Sequence, residues 1–134
     1  MSARENLAVH TALTEAENRH DLSHHRDFLH DHIEFHLVGG EVLVGLDAYV
    51  ASVQAGQAVL EGFSVVLEDQ FATNDRVVCR WRARGTHIGE FFGLPASGKQ
   101  IEFTGMSLWE FDHGKARRGW GFPDIASVMA QLQG

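Results

Sequence analysis

Residues 85–99 read G-T-H-I-G-E-F-F-G-L-P-A-S-G-K. A strand-like run precedes them (Val77 to Ala83) and another follows (Gln100 to Phe111). The connection is too long for a tight hairpin, and it places two adjacent aromatics, Phe91 and Phe92, among glycines, a proline and polar residues. A long loop that carries aromatics is usually closing over something. Two readings fit: a lid over a pocket, or a plug for the open end of a curved sheet.

Outward from this loop the C-terminal half is rich in strands. Phe63 to Phe71, Arg76 to Thr86, Gln100 to Phe111 and Lys115 to Phe122 are runs of Val, Phe, Trp and Ile. Asn74-Asp75 and Asp112-His113-Gly114 supply hairpin turns. Pro123 stops the last strand, and Asp124 starts a short helix through Leu132. In the N-terminal half, residues 3–20 lack Gly and Pro and set Leu7, Ala8, Ala12, Leu13 and Ala16 on one side, as an amphipathic helix does. A short helical turn follows through Phe28 and Leu29. His32 to Val38 alternates as a strand, with Ile33, Phe35 and Leu37 on one face and His32, Glu34 and His36 on the other. After the Gly39-Gly40 turn come a short strand, Glu41 to Val44, and a helix to about Leu60 with Asp47 as its N-cap and Gly62 as its stop. Helices, then a meander of long strands, then one closing helix predict an α+β fold, with helices on one face of a strongly bent antiparallel sheet. A sheet bent around a helix leaves a conical cavity at its open end, where ligands bind.

The whole chain, 1–134, reads as a single domain, long enough to bury a core without disulfides or metals. The net charge of −7 argues against nucleic acid or an anionic membrane as partner, since both need a basic surface. The one cysteine, Cys79, lies in an apolar strand run, so no disulfide forms within the chain and a reducing, cytoplasmic setting is expected. The N-terminus shows no apolar signal-peptide core, and no apolar run approaches the ~18 residues of a membrane span.

From Asp75 onward the sequence resembles the SnoaL-like polyketide cyclases, within the nuclear-transport-factor-like group that includes ketosteroid isomerase and limonene epoxide hydrolase. The likeness is carried by D-R-V-V-C-R-W-R-A-R-G-T-H-I-G-E-F-F-G-L-P-A-S-G-K, by I-E-F-T-G-M-S-L-W-E-F, by D-H-G-K and by W-G-F-P-D-I-A-S-V-M-A-Q-L. The N-terminal half fits in layout, with F-H at Phe35-His36 and G-L-D-A-Y at the start of the second helix. The resemblance implies a conical α+β barrel, a homodimer or higher homo-oligomer, no metal, no organic cofactor and an apolar small-molecule substrate. It also implies acid/base chemistry on a carbon acid, ring closure by intramolecular aldol condensation being the reaction most directly indicated, with related members hydroxylating or isomerising.

The resemblance assigns Asp124 as the acid/base catalyst and His36 as its polar partner. Trp81, His87, Phe91, Met106 and Trp120 are the expected substrate contacts. Each has a plainer reading: Asp124 as a helix cap, His36 as a rim histidine, His87 as an anchor for the loop, and the aromatics as core or interface. Arg80, Arg82 and Arg84 share one strand face, either gripping an acid or pairing with Glu102 and Glu110 across the sheet. His20 with His24, or His32 and His36 with Glu34, would be the metal-site candidates, but no chelating motif is present and no metal is expected. One departure stands out: Arg118-Gly119 precede Trp120 where many family members carry a histidine. A non-catalytic ligand-binding or assembly domain is the alternative function, and Gly119 is its best support.

Overall fold

The computed structural model describes residues 2–134. Helix α1 (Ala3–Asn18) opens with a capping box: the Ser2 hydroxyl accepts from the Glu5 amide at 3.1 Å, and the Glu5 carboxylate accepts from the Ser2 amide at 3.2 Å. A 3-10 turn (His25–Asp27) leads into β1 (Leu29–His36), followed by β2 (Val42–Val44) and α2 (Leu46–Val59). Four long strands come next: β3 (Leu60–Ala72), β4 (Arg76–His87), β5 (Gln100–Asp112) and β6 (Lys115–Pro123). Helix α3 (Ile125–Gln133) closes the chain. None of the described helices is long and apolar enough to cross a membrane.

The strands form one six-stranded sheet in the order β2-β1-β6-β5-β4-β3. The expected antiparallel meander is present from β3 to β6, and the hairpin at His113 and Gly114 has both residues at positive φ, the conformation of a type I′ turn. The sheet is mixed, because β1 runs parallel to β6. It is also open, with β2 and β3 as its edges.

Several boundaries differ from the sequence reading: β1 starts at Leu29, which the sequence placed in the preceding helical turn, and ends at His36 instead of Val38, and β3 starts at Leu60 instead of Phe63. The N-cap of α2 is Gly45 at φ 97°, a backbone state that glycine alone adopts freely, and Asp47 sits in the first turn. Gly62 does not end the helix: α2 passes straight into β3 at Leu60. Gly62, at φ 68°, lies where the β3–β4 register shifts between Glu61 and Ser64, so it bends a strand.

Strand alternation divides the sheet into two faces. On the inner face Leu29, Ile33, Val77, Trp109, Phe111 and Ala116 pack with Leu13 of α1 and Tyr49 of α2. Under α3 a second cluster gathers Leu60, Ala83, Ile101, Phe103, Val128 and Leu132. The two phenylalanines of the 85–99 loop take different places. Phe91 packs on the second cluster, while Phe92 edges Phe91 at 4.5 Å and lines the mouth of a cavity.

Candidate active site

Between the inner face and the helices lies a cavity of about 460 Å³. The sheet contributes Phe35 from β1, Cys79 and Trp81 from β4, Ser107 and Trp109 from β5, and Gly121 and Pro123 from β6. All are inner-face positions, as the pairings Trp81 with Gly105 and Cys79 with Ser107 require. Helix α1 contributes His10, Leu13, Thr14 and Glu17, one helical stripe. Tyr49 of α2 and Phe63, Val65 and Leu67 of β3 also line it.

Two carboxylates line this space: Glu41, exposed at the rim, and Glu17. One oxygen of Glu17 is fixed from two sides, accepting from the Tyr49 hydroxyl at 2.8 Å and bonding His25 Nε2 at 3.0 Å. Among the described residues, no hydrogen bond holds its other oxygen. Burial, and then the Glu17 charge and hydrogen bond, hold the Tyr49 phenol well above its ordinary pKa, so it stays protonated and donates. Such a carboxylate, anchored at one oxygen and free at the other beside an apolar space, can take a proton from a bound molecule.

His10 is 4% exposed. The Gln70 side-chain amide lies 2.8 Å from its Nδ1, and its Nε2 lies 3.7 Å from Cys79 Sγ. Burial pulls its pKa down to about 4, so the ring is neutral at neutral pH. The unfolded chain binds this proton near pH 6.5, whereas the folded chain resists it down to about pH 4. His10 therefore makes the protein less stable as pH falls through that window, by of order 3 kcal/mol in full. In denaturant titrations at pH 7 and pH 4, His10→Gln is expected to flatten that slope; an unchanged slope would exclude His10 as its source. Burial likewise pushes the Cys79 thiol up to about 11, so it is no thiolate nucleophile.

The cavity brings together few of the residues expected from sequence. Trp81 lines it, its indole N–H donating to Ser107 Oγ at 2.9 Å. Pro123 faces inward, and Asp124 beyond it is exposed and caps α3, accepting from the Ser127 amide at 3.1 Å. Asp124→Ala is expected to lower stability by about 1 kcal/mol through the lost cap, read as a shift in thermal midpoint. His36 and Trp120 stack on the outer face with centroids 5.0 Å apart, and Met106, half exposed, lies on that face too. His87 is fully buried beneath the loop with its Nδ1 2.8 Å from Ser97 Oγ, and Phe91 packs beside it.

The arginine ladder is an outer-face feature. Arg82 pairs with Glu102 at 2.8 Å, and Arg80 with Asp69 at 2.7 Å and Glu68 at 3.0 Å. Gly119 has a steric cause: a Cβ there would meet Trp109 at 2.8 Å and Phe35 at 2.9 Å, so aromatic rings fill the space that a side chain would take. Among the described residues, no group of three His, Cys, Asp or Glu side chains is placed to hold a metal ion.

Sequence reasoning missed Glu17, Tyr49 and His10. The available signal was on α1, where His10, Thr14 and Glu17 interrupt the apolar stripe of Leu13 at helical spacing.

The same architecture recurs in known proteins. A protein from Jannaschia sp. CCS1, proposed to be a SnoaL-like polyketide cyclase, superposes with a TM-score of 0.89 at 19% identity, over 97% of this chain and 92% of that one. AclR from Streptomyces galilaeus, a proposed hydroxylase, gives 0.84 at 24% identity over 98% of each chain. IdmH from Streptomyces antibioticus, a proposed polyketide cyclase, gives 0.83 at 27% identity over 96% of this chain and 99% of that one. No curated protein matches the sequence. The family model described as SnoaL-like polyketide cyclase matches residues 7–132, nearly the whole of this sequence, and the chain therefore belongs to that family.

Proposed function

We propose that the protein is a cofactor-free enzyme acting on an apolar ketone, closing a ring by intramolecular aldol condensation of the polyketide-cyclase type. The observation that carries this reading is Glu17, one oxygen held by Tyr49 and His25 and the other free at the wall of an aromatic cavity. Glu17 takes the proton beside one carbonyl, and the C–H electron pair becomes an enolate. The enolate carbon bonds to a second carbonyl carbon, whose oxygen becomes an alkoxide. Glu17 then returns its proton to solvent and a proton from solvent neutralises that oxygen, so no oxidant, reductant or metal is consumed. Aromatic walls keep bulk water from quenching the enolate.

The test is proton exchange. In deuterium oxide, wild type is expected to incorporate deuterium beside the carbonyl of accepted ketones, read by mass spectrometry, and Glu17→Gln is not. Equal exchange by both proteins would overturn the assignment.

A homodimer in a cytoplasmic setting belongs to the same reading, with the second copy covering the outer sheet face. Met106 and Phe122 are paired neighbours there, 50% and 57% exposed, and Val66 is 61% exposed. The flanking ladder carries both signs of charge, which suits the self-complementary contact of a two-fold pair. Light scattering is expected to show a dimer that Phe122→Glu dissociates; a monomeric wild type would exclude it.

A further inference from the structure

We propose that His10 is a second catalytic group of this cavity: its Nε2–H, with the Trp109 indole N–H as companion donor, binds the carbonyl oxygen that is attacked during ring closure. This rests on the reading of Glu17 as the base.

Hydrogen-bond accounting points to this site. Most donors in the lining are already committed: Tyr49 to Glu17, Trp81 to Ser107, Thr14 to the His10 carbonyl and Asn18 to the Val65 carbonyl. Trp109 differs, because its indole nitrogen is buried with no partner among the described residues. His10 stands beside it, with ring centroids 6.0 Å apart. With the Gln70 amide N–H on Nδ1, and Thr11 holding Gln70 at 3.2 Å, the His10 proton sits on Nε2. That N–H meets only the Cys79 sulfur, a weak acceptor. Buried donors without strong acceptors carry a desolvation penalty that an oxygen ligand removes.

The spacing selects which oxygen. His10 and Glu17 lie seven residues apart on α1, about 10 Å along the helix axis. That separation sets the two groups at different ends of the stripe. It suits two reacting centres: Glu17 at the carbon that loses its proton, His10 and Trp109 at the carbonyl that accepts the new bond. Charge builds on that second oxygen as the C–C bond forms, and donors already in place stabilise it without reorganising. His10 stays neutral throughout, because a proton from solvent neutralises the alkoxide.

The probe is 2-acetonaphthone, followed without turnover by the infrared stretch of its bound carbonyl and by calorimetric affinity. Wild type is expected to move the band to lower wavenumber than apolar solvent does. His10→Leu is expected to lose most of that shift and bind about tenfold more weakly. His10→Gln, which restores an amide N–H near the Nε2 position, is expected to recover the shift, and Glu17→Gln to retain it. Nitrogen-15 NMR of unliganded wild type supplies a measurement that no variant's folding can confuse, and an Nε2–H tautomer for His10 is expected. An Nδ1–H tautomer, an unshifted band, a shift that survives in His10→Leu, or no binding of the ketone to wild type would each overturn the proposal. The Glu17 assignment rises or falls separately, on exchange alone.

Discussion

Glu17→Gln is expected to lower kcat by roughly 10²–10⁴-fold, the range in which positioned acid/base groups contribute, with little change in KM or in thermal midpoint. The reasoning is isosteric. A glutamine carbonyl oxygen can accept from Tyr49 and His25 as the carboxylate oxygen does, so the wall keeps its shape. What disappears is the capacity to take a proton at the free position. Asp124→Asn is the matched control, since asparagine caps a helix as well as aspartate does. It is expected to keep both kcat and stability, because Asp124 bonds the α3 amide and does not line the cavity. Loss of turnover in Asp124→Asn with retention in Glu17→Gln would hand the acid/base role to the residue that family resemblance singles out.

Gly105→Ala is expected to produce the largest loss of stability among small substitutions and to close the cavity with it. A Cβ at this position would overlap Trp81 Cζ2 and come within 2.6 Å of Cη2, so the indole must move. It is not free to do so: its N–H is bonded to Ser107 and its ring edges Phe103 at 5.9 Å. Overpacking of this kind costs about 1–3 kcal/mol, and losing the indole hydrogen bond adds about 1 kcal/mol. The displaced ring is expected to swing toward the cavity, so ligand affinity and thermal midpoint fall together. Gly56→Ala separates this from a generic glycine effect. Gly56 lies inside α2 with nothing within 4 Å of where a methyl group would stand, so alanine there is expected to raise stability by about 0.5–1 kcal/mol. A Gly105→Ala protein as stable as wild type, with ligand affinity intact, would show that the indole has room the geometry denies.

The meander was legible because its signals are local. Alternation, the Asp112-His113-Gly114 turn and the Pro123-Asp124 boundary each sit within a few residues of what they determine. The parallel pairing of β1 with β6 joins residues more than eighty positions apart, and nothing in either segment announces it. Asp47 was a chemically sound N-cap displaced by Gly45, whose positive φ belongs to the tight approach from β2. The candidate site was harder to read because resemblance draws attention to β6 and the loop. The polar groups of the cavity stand mostly on α1 and α2, where His10, Glu17 and Tyr49 look like ordinary residues of amphipathic helices. Trp81 was identifiable from alternation, sharing a face with Cys79 and Ala83, whereas Met106 and Trp120 have the opposite parity.

The adjacent phenylalanines of the 85–99 loop also differ in how fast they can move. Phe91 packs against the second core cluster, while Phe92, 44% exposed, lines the cavity beside it. A side chain placed this way can turn while the loop backbone stays in place. Exposed side chains turn in picoseconds to nanoseconds, against nanoseconds to microseconds for whole loops. Motion of this side chain is therefore faster than any opening of the loop as a whole.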